Sequence, residues 1–171
     1  MSDEARRFTV SVEVSLRAAV EDDLPALEWM GLYTVHRGII REAYDAQERG
    51  DALLLVAIAG GFPVAQVWID YARKRRENIA VLWAVRTFFP LQGRGIGRRM
   101  MAIAEHEIVE HGLRHAQLEV ERGNKGALQF YKRCGWKMSG ETSEHFAVKD
   151  GEGEVQDLAL DVWLMEKHLE D

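Results

Sequence analysis

The chain has 171 residues, 47% of them apolar and 29% charged, with a formal net charge of −6 at pH 7. That length suits one domain over residues 1–171, and the acidic balance argues against nucleic-acid or anionic-membrane partners. A single cysteine, Cys134, excludes an internal disulfide; no Cys/His cluster has metal-ligand spacing, and no apolar run approaches the ~20 residues of a membrane span. The first seven residues are polar and carry no secretory signal, so the expected location is cytoplasmic.

In chain order, Val10, Val12, Val14 and Leu16 alternate with small or polar residues and predict a half-buried first strand. Asp22, Asp23 and Pro25 mark a helix start, predicting a first helix over 24–30 and a second over 36–49 that places Ile39, Ile40, Ala43, Tyr44 and Gln47 at helical spacing. Two apolar runs, 52–59 and 64–71, flank Gly60-Gly61-Phe62-Pro63 and predict a β-hairpin. The basic cluster 73–76 reads as a solvated turn. Residues 79–85 are apolar on both faces, which predicts a central strand covered by helices on both sides. A helix over 98–111 follows, then a strand over 116–120 that should lie parallel to its predecessor. A helix over 124–134 comes next. Residues 136–138 and 145–148 read as one interrupted strand, 150–154 as a loop, and 158–164 as the last strand.

Two segments carry chemistry. The first is Gln92-Gly93-Arg94-Gly95-Ile96-Gly97-Arg98-Arg99, between the central strand and a helix. Glycine lets the backbone turn tightly and approach a ligand, and a helix starting there adds unpaired N–H donors and the positive end of a dipole. This is an anion site built for phosphate. A nucleoside-triphosphate loop would need Lys and then Ser or Thr after the last glycine, where Arg98 and Arg99 stand. A dinucleotide fingerprint needs its last two glycines three apart, whereas Gly95 and Gly97 are two apart. The spacing Gln92-x-x-Gly95-x-Gly97 resembles the acyl-CoA pyrophosphate loop of the GCN5-related N-acetyltransferase (GNAT) family. The second segment, from Asn124 through Ala127 and Tyr131 to Cys134, Gly135 and Trp136, resembles the same family's later motif, in the expected order and strand–helix context. The resemblance covers residues 14–140 well and the last 30 loosely.

The resemblance implies a single N-acetyltransferase domain of α/β class: a mixed sheet of six or seven strands, helices on both faces, and a splay between strands 4 and 5. It implies acetyl-CoA as co-substrate, with no metal. Its pantetheine arm would pair with main chain at Val85 and Thr87, and its pyrophosphate would sit on the N–H groups of Gln92, Gly93, Arg94, Gly95, Ile96, Gly97 and Arg98. The family's usual aliphatic residue is replaced by Thr87, and its proline comes one place late, at Pro90. Asn124 reads as a helix cap and, by resemblance, as a contact to the CoA arm. By the same resemblance Tyr131 is the general acid that protonates the departing thiolate, while Cys134 reads as packing. The base is open among Glu77, Glu119, Glu121 and His145. Trp29, Tyr33, His36, Tyr44, His145 and Trp163 are candidates for the acceptor pocket, although residues of these types are more often ordinary core or surface. The expected partner is a small-molecule amine, with a protein N-terminus or lysine as the alternative acceptor; a homodimer stays open. The rivals are a non-catalytic acyl-CoA-binding module and, more remotely, a nucleotide-binding loop.

Overall fold

The computed structural model describes residues 9–149 and 155–170, and within them the side chains of all but 144–149 and 155–158. Seven strands form one sheet: β1 (Ser15–Ala18), β2 (Ala52–Ala59), β3 (Phe62–Lys74), β4 (Ile79–Thr87), β5 (His115–Glu121), β6 (Lys137–Lys149) and β7 (Val155–His168). Their order across the sheet is β1-β2-β3-β4-β5-β7-β6. Among the described strands only the β4–β5 pair is parallel, because a helix must carry the chain back between them. That helix is α2 (Ile96–Glu110); α1 (Arg37–Glu48) precedes the sheet's centre and α3 (Lys125–Arg133) follows β5.

Alternation along the central strands divides the core in two. Leu55, Val67, Ile69 and Leu82 pack with Met100, Met101, Ala104 and Ile108 of α2 and with Tyr131 of α3. Leu54, Val56 and Trp68 face the other way, against Ile40 and Ala43 of α1 and Leu27 before it. Each large apolar side chain sequestered this way contributes about 1.5–3 kcal/mol. Gln47 of α1 adds a polar tie: its side chain donates to the Ala19 carbonyl at 2.9 Å and accepts from the Leu54 amide at 2.8 Å. Gly60 and Gly61 both take positive φ, 56° and 77°, as a two-residue turn between antiparallel strands requires.

Several expectations change. The first strand begins only at Ser15, and Val10 and Val12 are exposed, since nothing in the sheet lies opposite them. No α-helix forms over 24–30. The stretch is a series of single 3-10 turns, Glu21–Asp23, Ala26–Glu28 and Thr34–His36, broken where Trp29 and Met30 adopt left-handed φ of 43° and 56°. The acidic pair does not cap it; Asp23 instead binds Arg17 of β1 at 2.6 and 2.9 Å. Arg73 and Lys74 end β3, and only Arg75–Glu77 forms the turn. The interrupted strand is continuous in β6, carried by twelve backbone partners on β7 despite weak apolar alternation. The expected loop at 150–154 lies outside the described residues. None of the described helices is long and apolar enough to cross a membrane.

Candidate functional site

The β4–β5 ladder runs from Ile79 opposite His115 to Leu82 opposite Leu118 and stops there. Both strands continue, β4 to Thr87 and β5 to Glu121, without pairing to each other. The cause lies in β4. Between the pairs Trp68–Trp83 and Gln66–Arg86, three steps on β4 match two on β3, and Ala84 in between has a left-handed φ of 49°. That is a β-bulge, which bends a strand and increases its twist. It turns the end of β4 away from β5, so main-chain donors and acceptors along the open seam lack a strand partner. Left buried and unpaired, each would cost about 1–3 kcal/mol.

The glycine loop lies at the mouth of this seam. Phe89–Leu91 makes one 3-10 turn containing Pro90, and the chain then passes Gly93 and Gly95 at φ 73° and 83° into α2. Gly95 occupies the N-cap, and no side chain caps the helix. The amides of Ile96, Gly97 and Arg98 therefore begin α2 without intrahelical acceptors, at the positive end of its dipole. Gln92 turns back and donates its side-chain amide to the Thr87 carbonyl at 3.0 Å.

On the far side stands α3. Asn124 caps it, its Oδ1 accepting from the Ala127 amide at 3.0 Å. Ala127, Phe130, Tyr131 and Cys134 then share the face turned toward the seam. Together these elements enclose a cleft of about 610 Å³. Val85, Thr87, Gln92, Gly93, Gly95, Ile96, Gly97, Arg98, Asn124 and Tyr131 all line it. Arg94 is not among the lining residues. Leu91, Gly126, Phe130 and Arg133 also line the cleft without having been singled out from sequence, because their place depends on how α2 and α3 converge. So does Arg86, whose neighbours Val85 and Thr87 were named.

The electrostatics sort the candidates. Tyr131 is only 7% exposed, and burial pushes its phenol well above the usual range, with Cys134 adding to the shift. Burial likewise raises the Cys134 thiol, ahead of opposing influences from Lys167, Arg98 and Arg133, which suits packing rather than a nucleophile. Glu77 and Glu119 border a separate cavity of about 170 Å³, with Arg73 and Gln117. Glu121 is exposed at the end of β5, and the side chain of His145 lies outside those described. Among the acceptor-pocket candidates, Trp29, Tyr33 and His36 form one aromatic chain with centroids 5.5 and 6.0 Å apart. Tyr44 sits elsewhere, beneath Arg41, and Trp163 lies under Arg122. The described residues hold no group of three metal-ligating side chains.

The cleft has the parts an acyl-CoA needs: free amides for a diphosphate at one end and an unpaired strand edge for an amide-bearing arm along its length. A family model described as "Acetyltransferase (GNAT) family" matches residues 18–136. No curated protein sequence matches the chain. Among solved structures, the chain resembles a ribosomal-protein-alanine N-acetyltransferase from Brucella melitensis, at 22% identity and a TM-score of 0.72 over 91% of this chain and 99% of that one. It also resembles yncA of Salmonella typhimurium, a putative acetyltransferase solved with acetyl-CoA, at 17% identity and a TM-score of 0.73 over 93% and 95%. A spermidine N-acetyltransferase chimera from Vibrio cholerae and hSSAT gives 17% identity and a TM-score of 0.69 over 91% and 94%.

Proposed function

The chain belongs to the GNAT acetyltransferase family and is an acyl-CoA-dependent N-acetyltransferase using acetyl-CoA; on that premise we propose that it acetylates the primary amine of a small molecule by direct attack, with Tyr131 as the acid. The observation that carries this reading is the open seam, with the β4–β5 ladder ending at Leu82 while β4 runs on to Thr87.

Acetyl-CoA supplies an activated thioester carbonyl. The protein's own part is mainly positioning. The amides at 96–98, with Arg98 beside them, hold the diphosphate, and main chain at Val85 and Thr87 faces the arm. The Thr87 carbonyl is already engaged by Gln92, so Gln92 acts chiefly by fixing the loop against the strand end. As the neutral amine forms its bond to the carbonyl carbon, the carbon–sulfur bond breaks and the sulfur takes a proton from the Tyr131 hydroxyl. A phenol with its pKa raised by burial keeps that proton at any working pH. Its transfer is easiest while the sulfur occupies the same apolar cleft, where a thiolate is also poorly solvated and strongly basic. The ammonium of the acceptor must first lose its own proton, to solvent or to a carboxylate on the acceptor side; after attack the new amide nitrogen sheds a second proton by the same route, and the Tyr131 phenolate regains one from solvent.

A small acceptor is supported by the crowding on that side of the seam. Trp29 packs edge-on against Phe88 at 5.5 Å and against Tyr33, and Arg86 lies over the Tyr33 ring. The test is free-thiol release over a panel of amines and peptides, alongside thermal shift with acetyl-CoA, ATP and NAD. Selective stabilisation by acetyl-CoA with turnover of small amines is the expected result. Turnover confined to peptides would move the acceptor to a protein terminus, and no preference for acetyl-CoA would remove the reading.

A further inference from the structure

On β4, Val85 packs with the α2 side of the core and Thr87 approaches Gly97, whereas Trp83 and Ala84 pack with the α1 side. Arg86, between Val85 and Thr87, projects to the α1 side, where its guanidinium lies 4.1 Å from the centroid of Tyr33. It stands two residues beyond the bulge at which the seam opens, about 7 Å along the strand. Stacking on an aromatic face orients a guanidinium and leaves its N–H edge available.

Among the described residues, no carboxylate and no hydrogen-bond acceptor meets Arg86; loss of water lowers its pKa, and Tyr33 is the single group opposing that. The other arginines of this region behave differently. Arg17 is held by Asp23, Arg37 by Glu28, and Arg41 by Glu21. A half-buried cation lacking a counter-charge is costly unless a ligand provides one.

The surroundings show the same deficit. Gln66 is directly opposite Arg86 on β3, is 1% exposed, and its Oε1 has no donor. The indole N–H groups of Trp68, two residues along the same face, and of Trp29, tilted against Tyr33, are also buried without acceptors. Of the four buried side-chain N/O atoms lacking a partner among the described residues, one is on Gln66 opposite Arg86, one on Trp68 two residues along β3 and one on Trp29 beside Tyr33; the fourth is Arg122 Nε. The set has three donors to one acceptor. The half-buried guanidinium is the member a ligand can reach, and it takes an anionic oxygen group; the other three atoms are buried beside it.

We propose that Arg86, stacked on Tyr33 and opposite Gln66, is a specificity-determining residue that binds a carboxylate of the acceptor, and that the acceptor is a small amino carboxylate. This rests on the reading that the β4–β5 seam receives the thioester, so that the α1 side of β4 is where the amine arrives. The amine then stands next to the carboxylate that anchors it.

The test measures thiol release with matched acceptors: free α-amino acids, their α-carboxamides, and peptides with amidated C-termini. Acetyl-CoA affinity is followed in parallel by calorimetry for the unmodified protein, Arg86→Gln and Arg86→Lys. Free acids should exceed their amides about tenfold to a hundredfold in kcat/KM, the usual worth of a hydrogen-bonded charge pair. Arg86→Gln should bring that ratio toward one, chiefly through KM, and Arg86→Lys should restore part of it; because Arg86 also borders the cofactor cleft, any loss of acetyl-CoA affinity should be the same for every acceptor and leave the change in ratio intact. Amides or peptide amides accepted as well as free acids would overturn the proposal, as would failure of every free acid to react. It would also fall if Arg86→Gln weakened acetyl-CoA binding instead of acceptor selectivity. If the unmodified protein does not bind acetyl-CoA, the seam reading itself fails; binding with carboxylate-blind turnover sinks this inference alone.

Discussion

Gln92 donates its side-chain amide to the main-chain carbonyl of Thr87 at 3.0 Å, so the glycine loop is tied to the end of the strand that opens the seam. On the proposed reading, the diphosphate end and the arm end of the ligand site are thereby held at a fixed separation. Gln92→Ala removes that tie and frees the loop. The expected result is acetyl-CoA binding weakened about twofold to tenfold, the range of one net hydrogen bond. Titration calorimetry reads it directly, and unchanged affinity would show that the loop is held by its backbone alone.

The two glycines that begin α2 should fail differently. Gly95 sits at φ 83° with open space around it, so a side chain there is opposed by the backbone and not by neighbours. Gly95→Ala should cost about 1–2 kcal/mol of stability and lower cofactor affinity as well, because relieving the strain moves the loop. At Gly97 the added Cβ would meet Phe130 at 3.4 Å and Thr87 Oγ1 at 3.5 Å. Gly97→Val therefore projects its methyls into the cleft, and should impair acetyl-CoA binding with a smaller change in melting temperature. Equal losses of stability in both variants would contradict this division.

Tyr131→Phe separates catalysis from binding. The ring fills the same core position beside Trp136 and Phe130, so melting temperature and acetyl-CoA affinity should change little. Loss of the proton donor should lower kcat by about a hundredfold or more. Because burial raises the phenol's pKa, the unmodified enzyme should show no alkaline decline from Tyr131 as far as pH 10, while activity rises through the acceptor amine's own pKa. Full turnover by the variant across that range would remove Tyr131 from the acid role.

Both motifs that locate the cleft could be read from the sequence because their chemistry is local. A loop needing positive φ at Gly93 and Gly95, and a helix opened by Asn124, depend on residues only a few positions apart. Arg86 and Gln66 could not be read that way. Their opposition depends on strand register across twenty residues, and on a bulge at Ala84, a residue whose type gives no hint of a left-handed φ. The stretch 24–30 misled for a related reason. Its acidic residues and Pro25 are good helix-start signals, but Asp23 is claimed by Arg17 and Leu27 by the core, which leaves too short a run for a helix to propagate. In β6 the local pattern was weak and tertiary pairing to β7 decided the outcome.

The Arg17–Asp23 pair predicts how stability depends on acid. Asp23 is buried and accepts from both guanidinium nitrogens and from the Val20 amide at 2.8 Å. The Arg17 hydrogen bonds, outweighing desolvation, hold its carboxyl below the usual carboxylate range. A depressed native pKa means that the unfolded chain takes up the proton first as the pH falls. The contribution is therefore complete above about pH 5, declines as the pH drops through the unfolded value near 3.9, and is gone below the native value. Asp23→Asn should cost about 1.5–3 kcal/mol at pH 7, the worth of hydrogen bonds to a charged group, by loosening the turn that leads from β1 toward Trp29 and Tyr33. Urea denaturation of both proteins at several pH values reads the difference. The two stabilities should converge toward pH 3, and a gap that stays constant from pH 7 to pH 3 would show that Asp23 stabilises by shape rather than by charge.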